Sequence, residues 1–432
     1  MKTNYLLALG LLVCLHGTAK AQTDDTAEQK PFRLTFSERA RMTTLGEATT
    51  LDHYAPITTF TRWRTYFGAY YNPSRHFEFR AELGNEARLY LTPPTAKTAV
   101  NEIFFNQLYV DWRDIADLPI DLCVGRQNIK FDEGFMMVDG NPMVGSRSDY
   151  FNAAKATFRF DERNRLTALF VYNPHRDKLL PVINEGDHYK SLEEQTNNGA
   201  ALYYQAQLSP VDLSAYYFYK NYFKTATLPD AETHALGARV NVALPGNDFH
   251  FISEFAYEFG KVADRNRRAW GGYSRLEYNI GRYLYVLDQL SVGSVYMSGD
   301  DPTTPTIEGF DPMWNRWTRW SEGYIYTLAA ETGKISYWSN LASINAGFKA
   351  SLAPNVSLNA NYMHLFAMHN PGTAFTSGGG KTRGDLYTAR ISYQINPHWS
   401  GHLHYEHFNP GNYYFRGADN FNWVRFELMY KL

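Results

Sequence analysis

Along most of this chain apolar and polar side chains take turns at every second position. In the last residues Val424, Phe426, Leu428, Tyr430 and Leu432 alternate with Arg425, Glu427, Met429 and Lys431. A period of two puts the two sets on opposite faces of a β-strand. Between Arg75 and Tyr90, Phe77, Phe79, Ala81 and Leu83 fall on one face and Glu78, Arg80, Glu82, Glu86 and Arg88 on the other. Ile344, Ala346, Phe348 and Ala350 alternate with Asn345, Gly347, Lys349 and Ser351, and Val356, Leu358, Ala360 and Tyr362 with Ser357, Asn359 and Asn361. Apolar residues outward and charged residues inward suit strands that stand in lipid around a wet interior. A soluble β-sandwich also alternates, but it does not explain so many strands with aromatic ends such as Trp63, Trp112, Trp270, Trp399 and Trp423.

The connections are of two kinds, and the kinds alternate. Short, turn-like ones lie at Asn72-Pro73-Ser74, Ile115 to Leu118, Asp161 to Asn164, Ser209-Pro210, Pro245-Gly246-Asn247, Gly281-Arg282, Ala353-Pro354-Asn355 and Asn396-Pro397. Long, polar ones lie near 45–55, 91–99, 128–150, 174–198, 221–232, 261–268, 299–339, 367–383 and 409–419. Nine long and eight short connections join eighteen strands, with both termini on one side. Short turns belong to the periplasmic rim and long loops to the outside. The fold class is all-β, a single transmembrane antiparallel β-barrel. The count falls to sixteen if the turn near Gly281 fails, and Tyr324 to Ala330 reads either as an extra strand or as part of a large loop.

The N-terminal residues add an address. Lys2, the apolar run Leu6 to Leu15 and Ala19-Lys20-Ala21 have the order of a secretory signal peptide cut before Gln22. We therefore expect a signal over 1–21, a short periplasmic segment over 22–30 and one barrel domain over 31–432. Beyond the signal no stretch approaches the roughly 18 apolar residues of a membrane helix. Loss of Cys14 with the signal leaves Cys123 alone, so no internal disulfide is expected. With 42 basic against 44 acidic side chains the chain offers no footprint for nucleic acid.

Extending strand parity places Arg33, Arg39, Arg41, Arg62, Arg64, Arg80, Arg88, Arg113, Lys155, Arg159, Arg239, Arg275, Lys349, Arg390 and Arg425 inward. The inward acids, Glu78, Glu82, Glu86, Asp111, Glu254, Glu258, Glu277, Glu406 and Glu427, are fewer. A lumen with this surplus favours anions. The predominance of Arg over Lys favours carboxylates, which a guanidinium grips by two parallel hydrogen bonds. The plainer reading is that these arginines pair with acids on neighbouring strands and stiffen the wall.

Gly125-Arg126-Gln127-Asn128-Ile129, then Glu133-Gly134, then Arg147 to Ala153, resembles the heart of the alginate export family of outer-membrane barrels. The resemblance implies an 18-stranded monomeric barrel in the cell outer membrane, with an Arg-lined constriction through which an anionic polyuronate passes. It adds Arg126 and Arg147 to the pore-lining set, and partners that drive export or uptake in the periplasm. The chain departs from the family pattern at Phe151-Asn152-Ala153, where an acidic residue is expected after the Phe. The parity of Ile120, Leu122 and Val124 also turns Arg126 away from the lumen unless a bulge or a position above the membrane rim intervenes.

Other constellations weigh less. Trp314, Trp317 and Trp320, with Arg316 and Arg319, have the spacing of one helix face and either stack on sugar rings or pack a loop. His402, His404 and Glu406 share a strand face but read as lumen-lining polar residues, and Asp300, Asp301, Glu308 and Asp311 lack the order of a calcium loop. No nucleophile elbow, zinc helix or phosphate loop is visible, so neither catalysis nor a cofactor or metal is expected. The remaining readings are a general anion-preferring porin and a structural, adhesive or enzymatic barrel.

Overall fold

The structure, a computed structural model, describes residues 31–46, 50–93, 102–138, 150–184, 191–244, 246, 248–281, 286–315, 319–334 and 338–432. The expected signal segment, residues 22–30, Arg147, Arg282, Arg316 and Trp317 lie outside them.

Eighteen strands form one closed antiparallel barrel. They are β1 (Phe32–Gly46), β2 (Thr58–Ser74), β3 (Phe77–Thr92), β4 (Glu102–Trp112), β5 (Ile120–Gln127), β6 (Phe151–Arg159), β7 (Asn164–Asn173), β8 (Asn197–Leu208) and β9 (Val211–Tyr222). The second half comprises β10 (Ala231–Ala243), β11 (Phe249–Val262), β12 (Arg265–Asn279), β13 (Leu287–Met297), β14 (Leu341–Ala353), β15 (Val356–Phe366), β16 (Thr382–Gln394), β17 (Trp399–Pro410) and β18 (Phe421–Lys431). Each strand pairs with the next, and β18 closes on β1 from Ser37 opposite Lys431 to Gly46 opposite Asn422. Closure leaves no backbone edge facing lipid, where unpaired N–H and C=O groups would be costly.

Side-chain parity follows the sequence. Phe67, Phe79, Leu83, Ile344, Leu403 and Phe426 are exposed on the outer face, while Arg39, Arg41, Arg64, Glu86 and Arg425 are buried on the inner one. A one-residue slip in any strand would exchange these sets, so the lipid itself fixes the register. Gly237 serves the inner face in another way. A Cβ there would stand 2.3 Å from the ring of Tyr216, which lies across it.

One expectation about the connections is corrected, and one open reading is decided in favour of the large loop. The segment 261–268 is no long loop, because β11 and β12 continue to Val262 and Arg265 and turn tightly through Ala263-Asp264. Tyr324 to Ala330 is not a strand but lies in a helix, α1 (Tyr324–Thr332), inside the 298–340 connection. Glu406 of β17 anchors the residues that lead into the helix, accepting the backbone N–H of Glu322 (2.8 Å) and of Gly323 (2.9 Å) and the Ser321 hydroxyl. The helix stops at Gly333, φ +69°, whose N–H returns to Ala329 O.

The hydrophobic core lies inside the cylinder, not between layers. The 128–138 segment and the 298–340 connection fold inward and join, with Trp314 and Asn315 pairing in parallel with Met137 and Val138. Phe135, Met137, Phe310, Trp314, Leu328 and Trp338 pack there against the inward side chains Tyr203, Phe218, Tyr273 and Met297. The outer part of the inner wall is therefore apolar, which explains why Ala168-Leu169-Phe170-Val171-Tyr172 does not alternate. Phe170 and Tyr172 face outward, and Leu169 and Val171 face the folded loops.

Candidate functional site

The sheet register assembles the inward arginines of β16, β18, β1, β2 and β3 into rows, with the histidines of β17 among them. One row runs His402, Glu427, Arg41, Arg62, Arg88 across five consecutive strands, each residue directly opposite the next. In the adjacent row Arg39 stands opposite Arg64, and Arg64 opposite Glu86. Arg390 of β16 lies opposite His404, and His404 opposite Arg425.

Several of these guanidinium groups rest on aromatic faces, Arg62 over Phe60 (4.8 Å), Arg64 over Tyr66 (4.8 Å) and Arg425 over Trp423 (5.1 Å). Arg41 pairs with Glu427, and Arg425 forms a two-pronged pair with Glu322, just before α1. Arg425 Nε donates to His402 Nε2 (2.9 Å), and the other ring nitrogen, Nδ1, lies 3.0 Å from Arg390 Nη2 and 3.3 Å from Glu427 Oε1. Arg62 reaches Tyr326 of α1 only at 3.5 Å, and its buried Nε has no hydrogen-bond partner among the described residues.

Across the barrel, β10 and β12 carry a second basic group. Glu133, at the tip of the 128–138 segment, accepts hydrogen bonds from Arg239 (3.2 Å), Arg275 (3.0 Å) and Arg319 (2.6 Å). Burial alone would raise its carboxyl, but Arg319, Arg275 and Arg239 outweigh this and hold it down at about 2. The Phe131 to Gly134 turn that presents it is closed by Gly134 N–H to Phe131 O (2.7 Å) and uses left-handed backbone at Asp132 (φ +45°) and Gly134 (φ +79°). The wall formed by β14 to β16 is different again. Asn345, Asn359, Asn361, Ser357 and Ser392 line it, and it also carries Lys349 and Arg390, which stand opposite Asn359 on either side.

The sequence-predicted arginines thus divide. Arg39, Arg62, Arg64, Arg390 and Arg425 come together on one wall, and Arg239 and Arg275 on the other. Arg33 and Arg80 lie nearer the periplasmic rim, stacked on either side of Tyr70 at 4.4 and 4.2 Å. Lys155 faces Cys123 across the β5–β6 pair, and Arg159 sits at the turn, paired with Asp121 and Asp114.

Arg126 is a correction. It has the outward parity of Val124 and is sealed at 2% exposure near the end of β5, where it pairs with Asp177 (2.8 Å) and lies over the Tyr150 ring (3.8 Å). It ties down the 174–196 connection and does not line the lumen. The tryptophans are corrected in part. Trp314 is fully buried in the short parallel pair rather than on a helix, and Trp320 packs edge-on against Trp338. Glu322 and Tyr326 were missed, and Arg319 and Glu133 were singled out only as part of a sugar-stacking or loop-packing cluster and of the family-like motif, because strand parity carries no information about loops that turn back into the lumen.

The sequence model of the alginate export family matches residues 62–422. The chain belongs to the alginate export family. Solved structures of similar fold are outer-membrane proteins of Pseudomonas aeruginosa. OccK5 (OpdH) is 12% identical with TM-score 0.59, covering 93% of this chain and 98% of that one. OccK2 (OpdF), solved in complex with glucuronate, is 10% identical with the same TM-score and coverage of 93% and 98%. OpdK, solved with vanillate, is 11% identical with TM-score 0.57, covering 92% and 98%. No curated protein matches the sequence. This alginate export family member is an outer-membrane β-barrel channel.

Proposed function

We propose that the channel passes anionic, uronate-type poly- or oligosaccharides through a pore lined by arginine. The observation that carries this reading is the row Arg41, Arg62, Arg88 beside Arg39 and Arg64. Glu427 and Glu86 share these rows, but five arginines face the two acids, and like charges directly opposite one another on a sheet repel. That surplus suits an anion passing along it. A planar guanidinium suits a carboxylate at each step, and several in succession let one be passed to the next. The uncharged asparagines and serines of β14 to β16 suit the hydroxyl groups of a sugar on the other side. Glucuronate bound to the similarly folded OccK2 agrees with this cargo class.

A general porin for small carboxylates is the second reading, favoured by the vanillate bound to OpdK. Reversal potentials in planar bilayers together with liposome swelling separate the two. The expected result is anion selectivity with faster swelling in oligogalacturonate than in a neutral oligosaccharide of equal size. Converting Arg41, Arg62 and Arg88 together to Gln should lower the anion preference several-fold. A pore that is unselective, or unchanged by that triple substitution, would remove the reading.

A further inference from the structure

Each guanidinium around Glu133 has another neighbour as well. Arg275 Nε donates to Glu277 (2.6 Å), Arg319 lies on the Tyr273 ring at 4.2 Å with Trp320 beside it at 5.3 Å, and Arg239 is buried in the wall of β10 beside the Tyr273 phenol. The neighbouring acids are also occupied. Asp132 accepts from Tyr203 (2.7 Å) and Gln205 (3.0 Å), and Glu254 from Tyr216 (3.1 Å) and Tyr273 (2.9 Å). The three guanidinium groups would therefore keep their places if the Glu133 carboxylate left.

Glu133 itself is less confined. Its side chain is 27% exposed, and the turn beneath it is anchored separately, through Phe131 stacked on Tyr203 at 4.1 Å and through Asp132. The main-chain carbonyl of Glu133, which accepts from Arg319 (2.8 Å), stays with that turn when the side chain rotates. A side-chain carboxylate of this chain thus occupies, in contact with solvent, a cluster of three guanidinium groups suited to carboxylates.

We propose that Arg239, Arg275 and Arg319 are a binding site for a single sugar carboxylate, and that Glu133 is its internal occupant, displaced by each uronate unit that arrives. This rests on the reading that uronates enter the lumen. Occupancy by Glu133 keeps the site from holding free anions tightly, and a carboxylate released from it finds Glu133 ready to return. The exchange limits residence time, as conduction requires.

The test is single-channel recording with galacturonate as the probe, on wild type and Glu133→Gln, each checked for the heat-dependent gel shift of a folded barrel. Without its competitor the Glu133→Gln site should be half-saturated at about tenfold lower galacturonate, with longer current blocks. Glu133→Asp, whose carboxylate is drawn back by one methylene, should lie between and serves if the Gln variant does not fold. Adding Arg319→Gln to Glu133→Gln should erase the gain. If galacturonate blocks wild type and Glu133→Gln at equal concentration, or the gain survives Arg319→Gln, the displacement idea fails while the uronate channel stands. If galacturonate affects neither channel, both fail.

Discussion

At the scale of single residues, position within the barrel decides what an arginine does. Arg126 and Arg62 have the same side chain on neighbouring parts of one sheet. One is sealed by Asp177 and Tyr150, whereas the other reaches a phenol only at the limit of a hydrogen bond. Glu133 shows the same dependence in a carboxylate, and its environment makes a statement about pH. Its carboxyl is depressed to about 2 from an ordinary value of about 4.3. The interaction with its arginines is then fully present above the ordinary value and is lost as pH falls through the depressed one. Conductance should show an acid step below about pH 4 that Glu133→Gln removes. Single-channel conductance against pH on both proteins checks this, and an acid step that survives in Glu133→Gln would contradict it.

At the scale of elements, two anchors hold the connections that enter or cover the barrel, and each has a distinct signature. Glu406 gathers the start of α1, so Glu406→Gln removes a charge and an acceptor from three donors. The expected cost is about 1 kcal/mol, read as roughly several-fold faster amide exchange over 322–332 with the strands unchanged. Asp177 holds the 174–196 connection through Arg126, both nearly unexposed. Breaking such a pair from one side costs about 3–5 kcal/mol, so Asp177→Asn should lower the urea midpoint in detergent while leaving ion selectivity alone. A selectivity change without a stability change would restore Arg126 to the pore. The eighteen strands were legible because lipid and water enforce a period of two. The tight turn at Ala263-Asp264 was obscured because Lys261 and Arg265 to Arg268 read as loop although they lie on strand ends near the outer rim.

At the scale of the whole molecule, the barrel and its inner arginine wall could be read from the chain, since parity assigns each strand residue to a face and the pairing order then brings the faces together. The Glu133 site could not, because its members come from β10, β12 and two connections, and nothing local in the sequence says that a loop returns to the lumen. The one cue was compositional. Phe135-Met136-Met137 is too apolar for a segment that stays in water, and it is buried inside the barrel.

The inward-folded segments also bear on what the cell presents to its surroundings. Because 128–138 and much of 298–340 form a packed interior, they are poorly placed to vary under attack by antibodies or bacteriophage. Stretches such as 52–57 and 371–374, where Tyr54 is 89% exposed, carry no such constraint. Strains under that pressure should diversify at those tips and keep the filling of the cylinder, which also makes the tips the places to graft a reporter epitope on living cells.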